Sequence, residues 1–145
     1  MILHADLMVQ SMDTALEFYC DKLGFSVVDE SVVRGSIVQH VSHGCYEGLR
    51  LALLRVSPVG AMIELVEFKP ESALTSSALP LRAGWITILI ADLNAHINRM
   101  KRKGVDPTSE IFTVELPKSG ACKVVFYKDP DGNDLEFLQV LKSYG

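Results

Sequence analysis

The sequence predicts an α+β fold made of two copies of one small module, each running strand, helix, then three strands. Three observations predict it. Hydrophobic periodicity switches from alternating to helical and back to alternating twice along the chain. Two glutamate-bearing strands match, GAMIELVEF at 60–68 and GNDLEFLQV at 132–140, placing Gly60 against Gly132 and Glu64 against Glu136. The strand-to-helix openings align as well, His4 with Trp85, Val9 with Ile90 and Ser11 with Asp92. Such self-similarity marks a duplicated unit. A module of ~70 residues is too small for a dependable core of its own. The 145 residues are therefore expected to form a single domain: a first module over about 1–69, a linker over 70–82 and a second module over about 83–145.

The first strand runs from Ile2 to Val9, with Ala5, Leu7 and Val9 on one face and His4, Asp6 and Met8 on the other. Ser11 has the chemistry of an N-cap, and Met12, Ala15, Leu16, Tyr19 and Leu23 recur at helical spacing until Gly24 stops the run. Phe25–Asp29 reads as a strand, 35–42 is ambiguous with a short helix as one reading, and 44–48 is loop. Leu49–Val56 and Ala61–Phe68 are strands joined by a turn around Pro58. The linker is rich in Ser, Ala and Pro. The second module repeats the order. Trp85–Ile90 is a strand, Asp92 an N-cap, and Leu93, Ile97 and Met100 mark a helix that Gly104 ends. Strands follow at Ile111–Leu116, Ala121–Tyr127 and Asp134–Val140, the last two joined by the turn Asp129-Pro130-Asp131-Gly132-Asn133. Pro130 presets φ for that turn, and Gly132 tolerates positive φ.

Composition narrows the function classes. With 48% hydrophobic and 22% charged residues, the chain has material for a core and is not a disordered segment. A net charge of −4 argues against nucleic acid as the main partner. The acidity is concentrated in the first module. Residues 1–72 carry 5 Lys/Arg against 10 Asp/Glu, whereas 73–145 carry 9 against 8. Cys20, Cys45 and Cys122 are too sparse for a disulfide framework or a zinc ribbon. No apolar run approaches the ~20 residues that span a bilayer, and His4 and Asp6 sit where a signal peptide would need a basic, then apolar, start. The expectation is a soluble cytoplasmic protein that binds neither membrane nor nucleic acid. The RMKRK run at 99–103 reads as a solvated helix face. P-loop, dinucleotide and nucleophile-elbow signatures are absent from the sequence.

Candidate chemistry centres on Glu64 and Glu136, carboxylates set within hydrophobic strands. A buried unpaired carboxylate is costly, so each must meet water, a partner or a metal. A solvent-facing sheet explains either alone, but the repeat puts both at one modular position, where a pseudo-twofold would aim them at one concave surface. His4, on the same face as Asp6, either is exposed or joins a His-plus-carboxylate cluster of the kind that takes Zn, Ni, Co, Mn or Fe. His40, His43 and His96 read as surface histidines.

The phrases HADLMVQSMDTALEFYCDKLGF, IELVEF, ADLNAHINRMKRKGV and FYKDPDGNDLEFLQV together resemble the vicinal oxygen chelate superfamily, which includes glyoxalase I, bleomycin resistance proteins and extradiol dioxygenases. The resemblance spans nearly the whole chain. It implies two paired βαβββ modules forming a cup-shaped mixed sheet with helices outside. In members of glyoxalase type, one divalent metal in the cup takes a ligand from the first and last strand of each module. Carried over by position, the ligands are His4, Glu64 and Glu136. The fourth position is Trp85, whose indole nitrogen only donates.

Two outcomes therefore stay open. Three ligands can hold a metal with open positions, supplemented by Asp6, or the cup has become a metal-free pocket in which Asp6, Met8, Trp85 and Thr87 contact the ligand. Trp85 as core filler is a third possibility for that residue alone. With a metal, the resemblance implies a glyoxalase-like lyase or isomerase acting on a small oxygen-rich molecule, the metal polarising a carbonyl while Glu64 or Glu136 moves a proton. Without one, it implies a drug- or natural-product-binding protein, or a tailoring enzyme working by acid/base chemistry alone. The resemblance also suggests a homodimer.

Overall fold

The computed structural model describes residues 3–76, 86–116 and 120–142. The chain forms two compact units, residues 1–83 and 84–145. The first contains β1 (His4–Met8), α1 (Met12–Leu16), β2 (Ser26–Arg34), α2 (Ser36–Val41), β3 (Gly48–Arg55) and β4 (Met62–Phe68). The second contains β5 (Ile86–Leu89), α3 (Leu93–Arg102), β6 (Phe112–Leu116), β7 (Gly120–Lys128) and β8 (Asp134–Lys142). Their mixed four-stranded sheets have the same order, β1-β4-β3-β2 and β5-β8-β7-β6. In each, the first strand lies parallel to the last, and the other pairings are antiparallel. The fold is α+β with two βαβββ modules.

The repeat extends to individual hydrogen bonds. Val9 N–H donates to Val66 O at 2.9 Å in one module, and Ile90 N–H donates to Leu138 O at 2.9 Å in the other. Ser11 Oγ accepts from Thr14 N–H, and Asp92 Oδ1 accepts from Ala95 N–H. Each helix start gains a further acceptor from the last strand of its own sheet. Glu67 Oε2 accepts from Met12 N–H at 2.5 Å, and Gln139 Oε1 accepts from Leu93 N–H at 2.7 Å. The first N–H groups of a helix have no partner within it, so these side chains satisfy otherwise orphaned donors. They also fix the helix against one face of the sheet.

That face is the core of each unit. Met12, Ala15 and Tyr19 pack with Leu54, Ile63 and Leu65, all buried. Full burial of a side chain such as Leu65 contributes ~1.5–3 kcal/mol. In the second unit Leu93 and Met100 pack with Val125, Tyr127, Leu135 and Phe137. Residues of β4 and β8 alternate across each sheet, so Glu64 points to the face away from α1 and Glu136 to the face away from α3.

Two details depart from the sequence reading, and a third resolves an open one. β2 extends to Arg34, well past Asp29, through pairing with β3 from Ser26–Arg55 to Arg34–Gly48. It lies at the sheet edge and is mostly exposed on both faces, so its residues carry no alternating pattern. The ambiguous segment is helix α2. Beyond α1 the chain widens into a π turn over Glu17–Lys22, where Leu23 N–H reaches Phe18 O. That added residue lets the adjacent Phe18 and Tyr19 both be buried.

His96 is a correction. It is 5% exposed and lies in the core, where Ala15 lies in the first module. The buried stripe of α3 runs Leu93, His96, Met100, with Ile97 at its margin. The His96 ring lies 4.1 Å from that of Phe137 and 5.7 Å from that of Tyr127. Burial, with a smaller contribution from Arg99, pushes its pKa down to about 4. His40 and His43 are exposed, as expected.

Candidate functional site

Strand geometry assembles a cluster in the first module. His4 and Asp6 are two apart on β1 and share a face, and Asp6 stands opposite Glu64 in the parallel β1–β4 register. One ligand-capable atom from each of His4, Asp6 and Glu64 lies within 4.8 Å of the others. His4 Nε2 is 3.3 Å from Asp6 Oδ1. His4 Nδ1 is buried without a hydrogen-bond partner among the described residues. The Glu64 carboxyl is raised above its usual range, first by burial, then by the neighbouring Asp6 charge and a hydrogen bond to Asp6, with His4 acting in the opposite direction.

Asp6 and Glu64 of this cluster line a cavity of about 310 Å³. Its floor is the face of the sheet opposite α1, including Met8, Leu49, Leu51, Val66 and Phe68. Its wall is α2, which contributes Ile37, Val38 and Val41. Among the described residues lining it, Asp6 and Glu64 are the only charged ones, and the rest are apolar. Phe68 is backed by Tyr46, whose ring stacks on it at 5.1 Å and 23°.

In the second module, Thr87 stands opposite Glu136, the same register position that Asp6 holds opposite Glu64. Thr87 Oγ1 donates to Glu136 Oε1 at 3.2 Å. An acidic pair in one module is thus a hydroxyl–carboxylate pair in the other. Trp85 lies outside the described residues.

A family model described as Glyoxalase/Bleomycin resistance protein/Dioxygenase superfamily matches residues 1–137. The chain belongs to this superfamily. It is 31% identical over 140 residues to the uncharacterized protein YurT of Bacillus subtilis, covering 95% of this chain and 98% of that one. It is 28% identical over 140 residues to a probable lactoylglutathione lyase of Vibrio parahaemolyticus, covering 95% and 89%. Among solved structures, a glyoxalase family protein of Bacillus cereus superposes with a TM-score of 0.71 at 16% identity, covering 97% and 94%. That likeness concerns the fold.

Of the residues singled out in the sequence of this glyoxalase-superfamily chain, the structure brings His4, Asp6 and Glu64 together, with Met8 lining the same cavity. Glu136 and Thr87 lie together in the second unit. Sequence reasoning missed the apolar floor and the α2 wall. Val66 and Phe68 follow Glu64 at steps of two, and Ile37 and Val41 are one helical turn apart, so both periodicities carried the signal.

The donor set suits a divalent ion. One imidazole nitrogen and two carboxylate oxygens form a mixed N/O set of the kind that Zn, Ni, Co, Mn or Fe(II) takes. Ligands at ~2.1 Å from one ion lie up to ~4 Å apart, so small side-chain rotations close the observed spacing. The residues fit.

Proposed function

We propose that this chain is a glyoxalase-like lyase or isomerase that shifts a proton on a small oxygen-rich molecule. Within it, His4, Asp6 and Glu64 would hold a divalent ion. The supporting observation is the His4–Asp6–Glu64 cluster, of which Asp6 and Glu64 line an otherwise apolar cavity.

When bound, such an ion supplies Lewis-acid polarisation of a carbonyl oxygen. The chain's own residues do the rest. The apolar floor and α2 exclude water from the substrate body and hold it in one orientation. Glu64, whose carboxyl is raised by burial and by Asp6, is suited to take a proton from carbon and return it to the neighbouring atom. Asp6 stands opposite Glu64 in the β1–β4 register, and its charge helps keep that carboxyl raised.

Solvent-deuterium incorporation into a panel of small α-hydroxyketones and 2-oxoaldehydes, followed by proton NMR, tests this reading. Exchange by the metal-loaded wild type, lost in Glu64→Gln, is the expected result. No exchange above buffer across the panel would count against an enzyme. A second reading, a binding protein without turnover, is favoured by the apolar lining of the cavity, and it predicts that second outcome.

A further inference from the structure

The cavity carries information about the ligand that the cluster does not. Its wall is an addition peculiar to the first module. Thirteen residues, 35–47, connect β2 to β3, whereas only 117–119 connect β6 to β7. The longer connection contains α2. Gly35 adopts φ +99, Gly44 φ +80 and His43 φ +52, so the helix is set off by sharp turns at both ends. Val38 anchors it, fully buried, and Ser42, also fully buried, holds the exit turn by accepting from Tyr46 N–H at 2.9 Å. Ile37 and Val41 remain 61% and 50% exposed while lining the cavity. An anchored helix that leaves two branched side chains uncovered over a pocket is built to meet a ligand's apolar surface.

Charge and size complete the description. The polar lining is acidic, and no Lys or Arg is among the described lining residues. With no ion bound, a carboxylate on the ligand would meet Asp6 and Glu64 with no Lys or Arg among the described lining residues to offset them, in surroundings that solvate it poorly. The volume of about 310 Å³ is at the small end of ligand pockets and roughly twice the ~150 Å³ cavity that takes one benzene.

We infer that the cavity takes a small ligand of about two fused rings in size, with an apolar body against α2, and that, with no ion bound, the Asp6–Glu64 pair favours an uncharged or cationic end and selects against carboxylate-bearing compounds. This rests on the reading that the His4–Asp6–Glu64 cluster receives the ligand's polar group. It is independent of whether turnover follows.

The test uses the full chain, stripped of metal with chelator, at pH 8. Three naphthalene probes of matched size, 2-naphthylmethylamine, 2-naphthylmethanol and 2-naphthoate, are titrated by calorimetry and probe fluorescence. The amine and the alcohol are expected to bind at least about tenfold more tightly than the naphthoate. The Asp6→Asn/Glu64→Gln double variant should bring naphthoate to within about threefold of the alcohol. Ile37→Ser/Val41→Ser, at half-exposed positions, should weaken the alcohol about fivefold or more with the thermal midpoint little changed. Equal or tighter binding of naphthoate, absence of binding by all three probes, or indifference to both variants would each overturn the inference. Because no metal and no turnover enter the measurement, its failure is distinct from a failure of the deuterium-exchange assay.

Discussion

His96 couples the stability of the second module to pH. A group that ordinarily titrates near 6.5 is held down to about 4 by burial and by Arg99. Above pH 6.5 the native and unfolded chains both carry a neutral imidazole, and the residue adds no pH dependence. As pH falls from 6.5 towards 4, the unfolded chain takes up a proton that the native core refuses, so stability falls with pH. By linkage the loss is ~3 kcal/mol across that window. His96 is 5% exposed, so solvent screening reduces this little. Charging it would place a cation beside the Phe137 and Tyr127 rings, and the Tyr127 hydroxyl is itself raised to about 12 by burial and by Asp106. His96→Leu keeps comparable volume and removes the titration. Urea unfolding of both proteins at pH 7.5, 6, 5 and 4.5 should show the wild type losing stability relative to the variant, with nearly all the difference appearing below 6.5. An NMR titration should give a His96 midpoint well below 6. Parallel pH profiles for the two proteins, or a midpoint at 6 or above, would refute the reasoning.

Two further expectations concern the supports of the fold. The equivalence of Glu67 and Gln139 as acceptors for Met12 and Leu93 predicts that Glu67→Gln is nearly neutral, while Gln139→Leu costs ~1 kcal/mol in chemical denaturation. Asp129, 5% exposed, accepts from the backbone N–H groups of Asp131 and Asn133 and from Asn133 Nδ2, all at 2.8–2.9 Å. Asp129→Ala leaves those donors unmet in a buried turn, and the same assay should show a loss of ~2–4 kcal/mol.

The modules were legible because duplication left a register in the chain. The offset between GAMIELVEF and GNDLEFLQV, and the different one between His4 and Trp85, reappear together in the strand pairing, where Asp6 meets Glu64 and Thr87 meets Glu136. Alternation on β1 alone puts His4, Asp6 and Met8 on one face. β2 was cut short because an edge strand exposed on both faces leaves no periodic trace. α2 stayed ambiguous because six residues are too few to establish a helical period, yet it forms the cavity wall. His96 was misplaced because a polar residue in a buried stripe carries no hydrophobic signal. Its burial depends on the Tyr127 and Phe137 rings, which strands distant in sequence bring to it.

Metal content tests the central claim most directly. The chain is purified without chelator, loaded with Zn, Ni, Co, Mn or Fe(II) in turn and desalted, and bound metal is counted by mass spectrometry. His4→Ala, Asp6→Ala and Glu64→Ala are treated in parallel. Nearly stoichiometric retention of at least one of these metals by the wild type, with His4→Ala and Glu64→Ala reduced tenfold or more, is the predicted result. Substoichiometric metal in the wild type that the variants leave unchanged would contradict it.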